Sequence, residues 1–174
     1  LADWGRSLPE IQPGLAWWPV VAVIVLLVMI NVAANKAVPG YYLFWTVGGS
    51  IVVLALGLLD GCTWADLGLA PRTWFAGLLW GGIAIGLVFT VYAVGTTWTR
   101  TRQAFHDQNI AGLSVPRLFW QSLVELPFGT VLFEEIAFRG VLWAMLARRY
   151  GVVWATVASA FMFGLWHILP SLDM

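Results

Sequence analysis

Charged residues are scarce in this chain. Of its 174 residues, 10% are charged and 60% are hydrophobic, and the mean hydropathy is +0.82. Soluble domains are about one quarter charged, so this composition indicates an integral membrane protein. Nine basic residues balance nine acidic residues, which argues against the basic surface that a nucleic-acid partner requires. We therefore expect no nucleic-acid partner.

Cysteine and histidine are also rare. A single cysteine, Cys62, excludes a disulfide within the chain, and we expect it to be a small buried residue near a helix end. No H-E-x-x-H zinc motif is present. Of the two histidines, His106 is predicted to be a solvated loop residue beside Asp107. His167 is the only histidine within a predicted membrane span.

Long apolar runs dominate what is present. A helix needs about 20 such residues to cross the hydrocarbon layer. The run at 14–34 is too long for a signal peptide and is interpreted as a retained helix. The predicted fold is all-α, a polytopic transmembrane helical bundle forming one membrane domain over residues 1–174. The predicted spans are 14–34, 41–59, 74–98, 118–146 and 152–169. Basic residues divide evenly between the two sides and give no orientation.

Two of these spans contain residues that matter for packing. Pro127 lies inside the span 118–146 and is predicted to kink or restart that helix, because it lacks a backbone donor. The third span carries two small-xxx-small pairs that could let another helix approach closely. Those pairs are formed by Gly77, Gly81, Gly82 and Gly86.

The stretch FEEIAFRG, residues 133–140, places three charges inside the fourth predicted span. Each charge would cost about 2.5–3.5 kcal/mol at the centre of a bilayer. Glu135 and Arg139 are four residues apart, so they share a helix face and can form an ion pair. Glu134 is rotated by about 100° from Glu135 and is left poorly paired. A carboxylate in that position is suited to accept and release protons.

His167 is predicted to lie at the same depth as Glu134. If the last two spans form a hairpin through residues 148–151, Glu134 precedes the centre of the turn by about 14 residues and His167 follows it by about 18. A carboxylate and an imidazole at one depth form a workable general-base pair. Together with Glu135 and Arg139, they favour a functional site over a purely structural locking of helices.

The motifs EEIAFR (residues 134–139) and FGLWH (residues 163–167) resemble the paired-glutamate and Phe-xxx-His motifs of the CAAX-protease and bacteriocin-processing family. This family, also called Abi, comprises multi-span intramembrane glutamate proteases and includes the eukaryotic prenyl-protein endopeptidase. The resemblance extends over about residues 63–167 and includes the weaker feature Leu67-Gly68-Leu69. It implies an endopeptidase that acts on a peptide or protein segment near membrane lipid, in a prokaryotic cytoplasmic membrane.

The resemblance also implies roles for the four site residues. Glu134 would activate a water for attack on a peptide carbonyl, and His167 would help to hold that water. Glu135 and Arg139 would orient the site. Two glutamates and one histidine could ligate zinc in principle, but the metal-free interpretation is favoured and no cofactor is expected. The family carries further motifs downstream, so the chain is expected to be the N-terminal part of a longer bundle.

Two alternatives remain open at this stage. The charged cluster could lock helices together in a non-catalytic membrane scaffold or immunity protein, and a Glu134→Gln variant of such a protein would remain functional. In a transporter, Glu134 and His167 could relay protons. Transporters often contain inverted repeats, and no clear internal repeat is found in the sequence.

Overall fold

The computed structural model describes residues 10–12, 14–98, 101 and 114–172. All regular secondary structure in these ranges is helical, which confirms the predicted all-α class. In chain order the helices are α1 (Trp18–Val32), α2 (Tyr42–Leu59), α3 (Trp74–Thr97), α4 (residues 115–150), α5 (Val152–Trp166) and α6 (Ile168–Ser171). A π-helical turn, Ala33–Ala37, extends α1, and short 3₁₀ turns precede α2 and α3.

Four helices are long and apolar enough to cross a membrane. In lipid every backbone N–H and C=O must be bonded within the protein, so long apolar runs form helices. These four match the predicted spans 14–34, 41–59, 74–98 and 152–169 and differ from them by a few residues at their ends. They are Trp18–Ala37, Tyr42–Leu59, Pro71–Thr97 and Val152–Ser171. The chain is therefore a polytopic helical membrane protein.

The predicted span 118–146 forms the middle of the single long helix α4 and is not among those four. Within α4, α-helical turns alternate with the π-helical segments Gln121–Val131 and Glu135–Leu142. Pro127 lies inside the first of these segments, so the prediction that it restarts the helix is wrong. The hydrogen bonds of this segment span five residues, as from the Leu132 N–H to the Pro127 carbonyl, and the helix continues past the proline.

The second half of α4 is the centre of the core. Its fully buried side chains, Phe133, Phe138, Val141 and Met145, pack with buried residues of α1 and α2. Gly49 of α2 permits close approach at this point, since a Cβ there would overlap Ile30 and lie 3.1 Å from the Phe133 ring. Both α1 and α2 therefore pack against the apolar face of α4. Glu134 follows directly after the buried Phe133.

Helix α3 contrasts with this arrangement. Gly95 is its only buried residue. At Gly77, Gly81, Gly82 and Gly86 no other atom of the described chain lies within 4 Å of where a Cβ would be. Within the part of the chain that the structure describes, no helix packs against these glycines. A helix that is apolar on all faces and exposed is suited to contact lipid.

A buried ionic cluster joins the ends of α2 and α4, and we call it the Asp60 cluster (Gln12, Asp60, Cys62, Arg148 and Arg149). The two Asp60 carboxylate oxygens accept hydrogen bonds from Arg149 Nη2 at 2.7 Å and Nη1 at 2.8 Å. Arg148 Nη1 donates to the Asp60 carbonyl at 2.8 Å, and Arg148 Nη2 donates to Gln12 Oε1 at 2.9 Å. Both arginines belong to residues 148–151, the predicted hairpin connection, and lie in the last turn of α4.

Cys62 lies in the same cluster and is buried, as predicted. Burial raises the pKa of its thiol, although Arg148 Nη1 lies 3.5 Å from the sulfur and opposes that shift. The hydrogen bond from Arg149 to Asp60 raises the pKa of the Arg149 guanidinium. Cys62 is therefore a neutral thiol and Arg149 a permanent cation at physiological pH, and the cluster contains no group that we expect to be reactive.

Candidate active site

A tight hairpin between α4 and α5 brings the predicted site residues together. Gly151 makes the turn with φ +80°, a left-handed conformation that favours glycine. The two helices then pack against each other in an antiparallel pair, as the sequence predicted. In this arrangement His167 Nε2 lies 3.5 Å from Glu134 Oε1. The carboxylate and the imidazole are thus neighbours at one depth of the bundle.

Glu134 is nearly enclosed, with 12% of its side chain exposed. Its Oε1 accepts a hydrogen bond from Trp166 Nε1 at 3.1 Å. The Trp166 ring packs 5.4 Å from the Phe133 ring and 5.6 Å from the Phe138 ring, which holds the indole in place. Among the contacts that the structure describes, Glu134 uses only Oε1, so Oε2 is free to bind a water or a substrate group.

Sequence reasoning missed Trp166. The chain has twelve tryptophans, and tryptophan is common at the ends of membrane spans, so a tryptophan there is not by itself a sign of a functional site. One signal was available, because a buried indole N–H needs an acceptor and Trp166 directly precedes His167. In the structure this tryptophan is buried and its N–H orients the Glu134 carboxylate.

His167 lies at the end of α5 and not inside the helix. The helix tightens there, and the His167 N–H bonds the Gly164 carbonyl at 3.2 Å. The Phe163 carbonyl is therefore available, and it lies 2.9 Å from His167 Nδ1. A carbonyl can only accept, so Nδ1 carries a proton, and in the neutral form of the ring the lone pair is on Nε2. That lone pair faces Glu134.

Phe163 connects Arg139 to His167. Its ring centroid lies 4.5 Å from that of His167, at an interplanar angle of 68°. On the other side, Arg139 Cζ lies 4.8 Å from the centre of the Phe163 ring, within cation–π range. The Phe-xxx-His spacing therefore places an aromatic ring between the cation and the imidazole, and this ring restricts the orientation of His167.

Glu135 and Arg139 form the predicted ion pair within α4. Their side chains are 52% and 55% exposed, so the burial expected for this pair is not observed. The reason is that residues of the described chain only partly cover this face of α4. Among the described contacts, Glu135 binds Arg139, and Arg139 contacts the site through Phe163.

A cavity of about 380 Å³ opens beside the site, between α4, α5 and the loop after α2. Arg139 and Phe163 line it on the side of the site, and Asp66, Trp143 and Thr156 line the remainder. Gly68, from the Leu67-Gly68-Leu69 feature, also contributes to its wall. The cavity is predominantly apolar, with the cation Arg139 and the carboxylate of Asp66 in its wall, which suits an extended segment of peptide or lipid.

The residues considered as zinc ligands are Glu134, Glu135 and His167. Zinc sites use three or four converging ligands. Within the ranges that the structure describes, no three His, Cys, Asp or Glu side chains are grouped closely enough to ligate a metal. Glu134 and His167 converge, whereas Glu135, the third donor considered, is turned toward Arg139.

Comparison with known families agrees with the motifs. Residues 116–173 match the Rce1-like family, described as type II CAAX prenyl endopeptidase Rce1-like. The matched segment contains both EEIAFR and FGLWH, and the match confirms the resemblance predicted from these motifs. No curated protein and no solved structure gives a significant match to the chain. The four apolar helices and this match together fit an integral membrane protein similar to CAAX-type intramembrane proteases.

Proposed function

We propose that this protein is an intramembrane endopeptidase that hydrolyses a peptide bond by means of a water activated by Glu134. The observation that carries this proposal is the 3.5 Å approach of His167 Nε2 to Glu134 Oε1, with a second partner orienting each group. The proposed substrate is a peptide or protein segment at the membrane, and the proposed location is a prokaryotic cytoplasmic membrane.

The tautomer of His167 suggests how the water is held. A separation of 3.5 Å exceeds the usual N–H···O distance of about 2.9–3.0 Å, and the neutral Nε2 has no proton to donate to the carboxylate. Two acceptors therefore face each other. A water bound to one side of this pair, within hydrogen-bond distance of both groups, can donate one proton to Nε2 of His167 and the other to Glu134. Its lone pairs then remain available for attack on a carbonyl carbon.

Proton transfers complete the reaction. As the water oxygen bonds the carbonyl carbon, Glu134 takes one water proton and a tetrahedral intermediate forms. Glu134 then returns that proton to the leaving nitrogen as the C–N bond breaks, and the products are a carboxyl group and an amine. Trp166 keeps the Glu134 carboxylate in position throughout, while Arg139 and Phe163 maintain the His167 ring plane.

We write this reaction without a metal. The three residues that could ligate zinc, Glu134, Glu135 and His167, do not converge in the structure, so no step is assigned to an ion. Glu135 and Arg139 are proposed to orient the site: Arg139 does so through Phe163, and Glu135 by fixing Arg139.

Replacing His167 by Ala tests this function. We expect kcat to fall by about 100- to 10,000-fold, because the water loses the acceptor that aligns it. The measurement is cleavage of a peptide library by the protein expressed to the end of its reading frame and reconstituted in lipid vesicles, with products identified by mass spectrometry. His106→Ala is the matched control and should cleave at the wild-type rate. Wild-type cleavage by His167→Ala, or no cleavage by the unmodified protein, would contradict the proposal.

A further inference from the structure

Asn31 is a buried polar residue on α1, in the part of the chain that precedes the family match. Its side-chain amide donates a hydrogen bond to the Trp166 carbonyl at 2.9 Å, across 135 positions of sequence. A polar side chain is rarely buried without a specific partner. This partner is the backbone of the residue whose indole binds Glu134.

The Trp166 carbonyl needs an outside donor because of Pro170. In a continuing helix the N–H of residue 170 would bond this carbonyl, and proline has no N–H. One residue further on, the helical hydrogen bond is present: the Ser171 N–H bonds the His167 carbonyl at 3.2 Å. Asn31 therefore supplies the hydrogen-bond donor that the local backbone lacks at the junction between α5 and α6.

The orientation of the Asn31 amide is itself fixed. Asn35 Nδ2 donates to Asn31 Oδ1 at 2.8 Å and to the Asn31 carbonyl at 2.9 Å. Because Oδ1 of Asn31 is engaged as an acceptor, its Nδ2 is directed toward Trp166. Asn35 lies in the π-helical turn Ala33–Ala37, which places it directly above Asn31. A relay of hydrogen bonds thus runs from Asn35 through Asn31 and Trp166 to Glu134.

We propose that Asn31 is a positioning residue of the active site, which acts through Trp166 to hold the Glu134 carboxylate. The inference rests on the proposed function and extends the site to a helix whose sequence carries no recognisable motif. Asn31 touches neither the water nor the peptide. Its role is to fix the backbone from which the Trp166 indole and the His167 imidazole both project.

The first test is Asn31→Leu, which keeps the size of the side chain and removes the amide. We expect kcat to fall by about 10- to 100-fold, with KM little changed, because the carboxylate and imidazole lose their alignment. Pro170→Ala should restore much of the lost activity when added to Asn31→Leu, since it gives the Trp166 carbonyl a backbone donor. Ser50→Ala is the control, because its hydroxyl bonds only the Thr46 carbonyl, in α2.

A second readout does not depend on catalysis. The indole N–H resonance of ¹⁵N-labelled Trp166, assigned through Trp166→Phe, should shift in Asn31→Leu and return in Asn31→Leu/Pro170→Ala. An unchanged resonance together with wild-type kcat in Asn31→Leu would overturn this inference. So would a loss of activity that Pro170→Ala does not relieve. Full cleavage by Glu134→Gln in the same vesicles would instead refute the proposed function, and the resonance would still decide whether the relay exists.

Discussion

Glu134→Gln is expected to reduce peptide cleavage by about 100- to 10,000-fold, which is the range attributed to general acid–base catalysis. The amide keeps the size of the side chain, and its oxygen can still accept the Trp166 N–H bond. It cannot take a proton from water. We therefore expect the fold to survive while turnover is lost, as measured with the vesicle-reconstituted protein and a peptide library.

Glu125→Gln is the matched control for this loss. Glu125 lies on the same helix and also accepts a hydrogen bond from an indole, Trp120 Nε1 at 3.0 Å. Its side chain is 33% exposed and lies 3.8 Å from Arg117 Nη2. It has no contact with His167 in the described structure. We expect near-normal cleavage by Glu125→Gln and equal thermal midpoints for both variants. Normal turnover by Glu134→Gln would remove Glu134 as the base.

The second large effect concerns stability. Asp60→Ala is expected to lower the free energy of unfolding by about 3–5 kcal/mol, the usual penalty for breaking a buried ion pair from one side. The side chains of Asp60 and Arg149 are each 4% exposed. Removing the carboxylate leaves the Arg149 guanidinium buried, with carbonyl oxygens as its remaining partners. Denaturant unfolding in detergent micelles measures the change.

A double variant separates loss of charge balance from loss of packing. Asp60→Leu combined with Arg149→Met removes both charges of the closest ion pair and should recover part of the lost stability. Arg148 then loses its carboxylate partner but keeps the carbonyl of residue 60 and the Gln12 side chain as hydrogen-bond acceptors. Glu10→Gln, at an exposed position near the start of the described chain, should have little effect. If Asp60→Ala unfolds like the unmodified protein, the cluster does not hold α2 and α4 together.

The sequence predicted the features that depend on local pattern. Four spans follow from runs of about 20 apolar residues, because lipid leaves the backbone no other way to bond its polar groups. The meeting of Glu134 and His167 follows from the helical rise of about 1.5 Å per residue on both sides of a short turn. These predictions needed no knowledge of which helices pack together beyond one hairpin.

What the sequence did not predict depends on contacts between distant segments. Arg148 and Arg149 follow an apolar run and precede a glycine turn, so they are expected to be exposed until Asp60, 88 and 89 residues away, is placed beside them. Asn31 likewise carries no local signal. Only the packing of α1 against the end of α5 shows that it bonds the Trp166 carbonyl, which Pro170 leaves without a helical donor.

Isotope labelling tests the water-activation claim most directly. The measurement is single-turnover cleavage in ¹⁸O-labelled water with hydroxylamine present, followed by mass spectrometry of the N-terminal fragment. Direct attack by a Glu134-activated water predicts a new carboxyl terminus with one ¹⁸O atom and no hydroxamate. A hydroxamate would require an acyl-enzyme intermediate that the added nucleophile intercepts. A hydroxamate that forms with the unmodified protein and not with Glu134→Gln would contradict the account, because it would make Glu134 a nucleophile and not a base.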